Sequence, residues 1–181
     1  MKNRKRNRML GYDYSQNNLY FVTICVQDRT CCFGAVVRTG RDLSVPIDNS
    51  VPIDNSNHSI RKMYLNEFGK IAHKQWEWLA SQYSYVVLHS FIVMPNHVHA
   101  VIEINSDLVT DISIKIKSLS ELIGAYKTTI SKQIHLRGND KFAWQRSFHD
   151  HIIRDDAVYE RICNYIETNP EKWEKDTFFE E

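Results

Sequence analysis

The stretch Tyr85–Ile104, "YVVLHSFIVMPNHVHAVIEI", decides the fold. Its first half, "YVVLHSFIVM", is a nearly continuous apolar run of strand-forming residues. Pro95 and Asn96 then supply a tight turn, and "HVHAVIEI" returns antiparallel beside the first strand. The return strand carries two histidines, His97 and His99, two residues apart. Side chains alternate along a strand, so both point to one face, roughly 6.5 Å apart. A buried imidazole without a partner is costly. The pair is therefore either half-exposed on an edge strand or convergent on one shared ligand, such as a metal ion.

Upstream of this pair, Asn66 is an N-cap for "NEFGKIAHKQWEWLASQY", where Phe68, Ile71, Ala72, Trp76 and Leu79 recur at helical spacing. Before it, "LYFVTICVQ" (Leu19 to Gln27) and "FGAVV" (Phe33 to Val37) read as strands, with a return strand at "SIRKMYL" (Ser59 to Leu65). Between the last two, "SVPIDN" occurs at Ser44–Asn49 and again at Ser50–Asn55, inside an expanded hairpin loop over residues 39–58. Downstream, a helix is expected over Ile112–His135, with Leu119, Leu122, Ile123, Tyr126, Ile130 and Ile134 as its buried stripe. "FAWQRSFHDHIIR" reads as extended and irregular. A last helix runs from Asp155, its N-cap, to Asn169, where Pro170 stops it. This order predicts an α+β fold: an antiparallel sheet with helices packed on it, nearest to a ferredoxin-like core.

The chain has 181 residues, 43% of them apolar, which suits one domain over residues 1–181. It contains no run of 18 apolar residues, so neither a transmembrane helix nor a membrane partner is expected. The basic start "MKNRKRNRML" has no apolar segment after it and is not a secretory signal. Cys25, Cys31, Cys32 and Cys163 form no C-x-x-C pair, which argues against a disulfide framework and fits a reducing cytoplasm. The net charge of +1 is unevenly spread. Lys2, Arg4, Lys5, Arg6 and Arg8 crowd into an N-terminal arm over residues 1–10, either a solvated tail or a phosphate-binding arm.

The last helix adds a second motif, "NYIETNP" (Asn164 to Pro170). Tyr165 and Asn169 are four residues apart and lie one above the other, at the edge of the apolar stripe of Val158, Ile162, Cys163 and Ile166. Asn169 could offer an amide oxygen to a metal while Tyr165 presents a phenol beside it. Tyr126 and Tyr159 fall inside their helices' stripes and read as core.

"GYDYSQNNLYFVTIC", "LNEFGKIA", "FIVMPNHVHAVIEI", "AWQRSFHDHIIRD" and "YIETNPEKW" occur in that order, from Gly11 to Trp173. In this ordered set the chain resembles the single-tyrosine HUH transposases, in particular the REP-associated tyrosine transposases. The resemblance implies a ferredoxin-like HUH endonuclease fold that cuts single-stranded DNA, often beside a small hairpin. It implies His97 and His99 as metal ligands, Asn169 as third ligand, Mg²⁺ or Mn²⁺ as cofactor, and Tyr165 as a nucleophile forming a 5′-phosphotyrosine link. Relatives act as monomers or homodimers, and a DNA partner points to the nucleoid. Candidate DNA contacts are Arg4, Lys5, Arg6, Arg8, Lys127, Arg146, Arg154 and Arg161, the last one turn before Tyr165. Two other functions stay open. A water-activating phosphodiesterase would need the histidines but not Tyr165. A protein that holds hairpin DNA without cutting it would need only the basic arm. His149 and His151 form a second H-x-H with no assigned chemistry.

Overall fold

A computed structural model describes Met9, residues 11–39 and residues 60–179. Arg4, Lys5, Arg6, Arg8 and the duplicated hexapeptides lie outside the described residues. The described strands are β1 (Asn18–Cys25), β2 (Gly34–Thr39), β3 (Ile60–Leu65), β4 (Val86–Val93), β5 (His97–Ile104) and β6 (His149–Ile153). The helices are α1 (Glu67–Gln82), α2 (Leu119–His135) and α3 (Asp156–Glu167). Strands β4, β5, β1 and β6 form an antiparallel sheet in that order, and β2 and β3 form a separate antiparallel ribbon. Leaving the ribbon and α3 aside, the order β-α-β-β-α-β with β1 inside the sheet is the ferredoxin-like arrangement.

Alternation divides the sheet into two faces. Tyr20, Val22 and Ile24 of β1 and Val98, Ala100, Ile102 and Ile104 of β5 join Trp76 and Leu79 of α1 and the α2 stripe in the main core. Tyr126 belongs to this core, as its position in the stripe predicts, and its hydroxyl donates to the Ala72 carbonyl (3.1 Å). The opposite face carries Phe21, Val101 and Ile153, packed against Val158, Tyr159, Ile162, Tyr165 and Ile166 of α3.

Three boundaries differ from the sequence reading. Helix α2 starts at Leu119, not Ile112. The Glu121 carboxylate accepts from both the Ser118 N–H and the Ser118 hydroxyl (2.8 Å each), fixing the helix start there. The stretch read as extended and irregular contains a regular edge strand, β6, paired with β1 from Leu19↔Ile153 to Thr23↔His149. Helix α3 ends at Glu167, and Pro170 opens a 3₁₀ segment, Pro170–Lys175. Both expected N-caps are present. Asn66 accepts from Gly69 N–H (3.0 Å), and Asp155 accepts from Val158 N–H (2.8 Å).

Candidate active site

The β1–β5 register pairs Cys25 with His97 and Thr23 with His99, so these four side chains share the sheet face that α3 covers. Both imidazoles are shut off from solvent, at 0% and 1% exposure, which rules out the half-exposed edge-strand alternative. Their ring centroids are 4.4 Å apart.

Each ring is oriented from behind. The Asn96 amide donates through Nδ2 to the Arg29 carbonyl (2.9 Å) and the Phe178 carbonyl (2.8 Å). That fixes its Oδ1 toward His97, 2.8 Å from Nδ1. His97 must therefore carry its proton on Nδ1, and Nε2 presents a lone pair. Nε2 is buried and has no hydrogen-bond partner. His99 Nδ1 lies 2.9 Å from Thr23 Oγ1, while its Nε2 lies 3.2 Å from the Tyr165 hydroxyl. Phe21 stacks on His99 (5.5 Å) and meets the Tyr165 ring edge-on (6.2 Å). Orientation through the second ring nitrogen is what metal-binding histidines need.

Asn169 is 1% exposed and donates through Nδ2 to Asp176 Oδ2 (2.9 Å). Its Oδ1 is a second buried polar atom without a partner. The ligating atoms of His97, His99 and Asp176 all lie within 4.8 Å of one another, the one such group of three His, Cys, Asp or Glu residues among the described residues. Orphaned lone pairs on His97 and Asn169, next to a carboxylate, fit a divalent cation bound by nitrogen and oxygen.

Burial sets the electrostatics. It pushes His97 well below the usual histidine range, helped by His99 and Arg29. It pushes His99 down to about 4, against a small opposing effect of Asp176. Both rings are thus neutral, the form that binds metal. The Tyr165 phenol is raised by burial and by Asp176, while the Asn169 amide works the other way.

The sequence reading missed Asp176, Thr23 and Asn96. Asp176 follows the 3₁₀ segment and has no periodic partner. Thr23 was legible in principle, because β1 alternation puts it opposite the core residues. Asn96 read only as a turn residue. The segment bearing Asp176 also closes the site: Phe178 sits 4.7 Å from His97 and 5.8 Å from His99, and Trp173 sits 5.9 Å from His97. Arg29 holds this cover, donating to the Thr177 carbonyl (2.8 Å) and lying over the Phe178 ring (5.4 Å).

The basic candidates are dispersed. Lys127 donates to the Gln145 carbonyl (2.7 Å), and Arg146 is exposed beside it. Arg154 is exposed just beyond β6, and Arg161 is exposed on α3. His149 and His151 are exposed on the edge strand. Their register with Thr23 and Phe21 puts them on the same sheet face as His97 and His99.

No family model matches the chain. An uncharacterized Haemophilus influenzae protein is 26% identical over 189 residues, covering 97% of this chain and 93% of that protein. A second protein of that organism, named "Putative REP-associated tyrosine transposase", is 26% identical over 166 residues, covering 88% of this chain and 74% of that protein. The solved structure of a REP-associated tyrosine transposase bound to a REP hairpin aligns with a TM-score of 0.53 at 16% identity, covering 91% of this chain and 72% of that chain. That likeness is one of fold. In the order of its motifs and in its fold, the chain resembles the REP-associated tyrosine transposases.

Proposed function

We propose that the protein is a metal-dependent transposase of single-stranded DNA that cuts and rejoins strands through a 5′-phosphotyrosine link. The observation that carries this reading is the Tyr165 hydroxyl 3.2 Å from His99 Nε2, next to the unpartnered Nε2 of His97. His97, His99, Asn169 and Asp176 would hold the cation, with Mg²⁺ and Mn²⁺ the candidates. When bound, the cation neutralises charge developing on the scissile phosphate.

The chain's own residues do the rest. Phe21 and His99 fix the Tyr165 ring, so its oxygen is aimed rather than free to rotate. The phenol is protonated at neutral pH, as a tyrosine titrating near 10 ordinarily is, and burial moves it further from neutrality. Its oxygen attacks phosphorus as the phenol proton passes to solvent water. The P–O3′ bond breaks and the departing oxygen takes up a proton. The ester conserves the bond's energy, so attack by another 3′-OH reverses the step without ATP. Lys127, Arg146, Arg154, Arg161 and the arm residues Arg4, Lys5, Arg6 and Arg8 are the proposed phosphate contacts. A strand reaches the histidines only after residues 173–178 move aside, since they seal both rings from solvent.

The test is incubation of labelled single-stranded DNA from the gene's own flanks with protein and Mn²⁺, followed by denaturing electrophoresis. The expected result is label on the protein band with the wild type and none with Tyr165→Phe. Full cleavage by Tyr165→Phe would replace this reading with a water-activating phosphodiesterase.

A further inference from the structure

Helix α3 is thinly held for an element that carries the proposed nucleophile. Ile166 is its one residue buried outright, and Val158, Tyr159, Ile162 and Tyr165 are half-buried against the sheet. Apolar contact is non-directional, so it keeps the helix down but fixes its rotation weakly. Rotation matters here. A phenol oxygen stands about 8 Å from its helix axis, so a turn of about 10° carries it about 1.4 Å. A misplacement of about 1 Å costs about a hundredfold in rate.

Directional bonds can set that rotation. Two α3 side chains hydrogen-bond to the sheet, and both are tyrosines on histidines. Tyr165 meets His99 of β5 (3.2 Å), and Tyr159 meets His89 of β4 (3.0 Å). The two tyrosines are about 9 Å apart along the helix. The first tie conflicts with the proposed chemistry. His99 offers Nε2 to the cation because its Nδ1 faces Thr23, so the Tyr165 hydroxyl and the cation draw on one lone pair. The Tyr159 tie has no such conflict.

That second tie is itself braced. Alternation along β5 puts Glu103 on the face of His97, His99 and Val101, about 13 Å from His99. One Glu103 oxygen accepts from His89 Nε2–H (2.9 Å) and the other from Asn105 Nδ2 (3.1 Å). An ionised carboxylate only accepts, so His89 carries its proton on Nε2, and in the neutral ring Nδ1 accepts from the Tyr159 hydroxyl. His89 lies where the register of β4 on β5 shifts, between Leu88 and Phe91, and such a bulge re-aims a side chain. One chain of bonds, Asn105–Glu103–His89–Tyr159, thus runs from the end of β5 across β4 to α3.

We propose that Glu103, His89 and Tyr159 are positioning residues that set the rotation of α3 and so aim the Tyr165 oxygen. The proposal rests on the reading of Tyr165 as nucleophile and adds what holds it in line once His99 Nε2 is committed to the cation.

The test uses the full chain and has two arms. The first reads the ¹⁵N resonance of His99 Nε2 in metal-free, histidine-labelled protein, with Tyr165→Phe giving the value for a lost bond. Tyr159→Phe, which keeps the ring, and Glu103→Ala should both move the resonance toward that value. Glu103→Gln keeps an oxygen acceptor for His89 and should stay at the wild-type position. The second arm follows adduct formation on labelled single-stranded DNA with Mn²⁺, well below the melting temperature. Tyr159→Phe should lower kcat about tenfold or more and change KM less than about twofold. A role in stability alone would leave both the resonance and the kcat of the folded protein unmoved, and that result would overturn the proposal. An adduct with an unmoved resonance sinks only the positioning role. A moved resonance in a protein whose wild type forms no adduct sinks only the covalent chemistry, and the three residues still orient α3.

Discussion

In the metal-free protein, acid should unfold the chain through the histidine pair. His99 is held near 4 in the folded state by burial. An unfolded histidine titrates at about 6.5. The unfolded chain therefore takes up a proton that the folded chain refuses, and stability falls as pH falls from 6.5 toward 4. Above pH 6.5 the contribution is fully present. The whole difference corresponds to about 3.4 kcal/mol, and linkage gives about 2 kcal/mol already lost at pH 5 from His99 alone. His97 is shifted in the same direction and adds to the loss. Urea unfolding in EDTA at pH 7 and pH 5 measures the drop. The control is His99→Gln, which keeps a polar side chain but cannot titrate. Its drop between the two pH values should be smaller than the wild type's by about 2 kcal/mol. An equal drop in both proteins would mean that His99 is solvated, and the sealed site described above would be wrong.

Asp176→Asn should weaken Mn²⁺ binding about tenfold or more by calorimetry, with the fold intact; unchanged affinity would remove Asp176 from the ligand set. Two glycine-to-alanine changes in helices should have opposite signs. At Gly124 in α2 an added Cβ meets nothing within 4 Å, so Gly124→Ala should stabilise by about 0.5–1 kcal/mol and raise the melting temperature a few degrees. At Gly69 in α1 the added Cβ would stand 2.1 Å from the Phe33 carbonyl oxygen, so Gly69→Ala should destabilise by about 2 kcal/mol or more in the same melt.

Much of this architecture was legible because the signals were local. The strand pair around Pro95–Asn96, the Asn66 and Asp155 caps and the α2 stripe all follow from spacing within a few residues. The start of α2 was misread because Ile112, Ile114 and Ile116 extend the apolar run upstream, where the capping carboxylate of Glu121 overrides them. Strand β6 was hidden because an edge strand with exposed His149 and His151 lacks a buried alternating face. At the site, His97 with His99 and Tyr165 with Asn169 each showed up as spaced pairs. Asp176 did not, since only the chain's path after Pro170 brings it beneath the histidines.

The uneven packing on the two sheet faces has a consequence for local unfolding. Helices α1 and α2 are bound into the large core, whereas Ile166 is the only residue of α3 that is buried outright. One such side chain contributes about 1.5–3 kcal/mol, small beside the stability of a whole domain. Opening of α3 should therefore be a separate, low-energy event within the native ensemble, detectable as faster amide exchange from Val158 to Glu167 than across α2. The proposed nucleophile then rides on a helix that opens before α1 and α2, while the strands that carry its histidines stay folded.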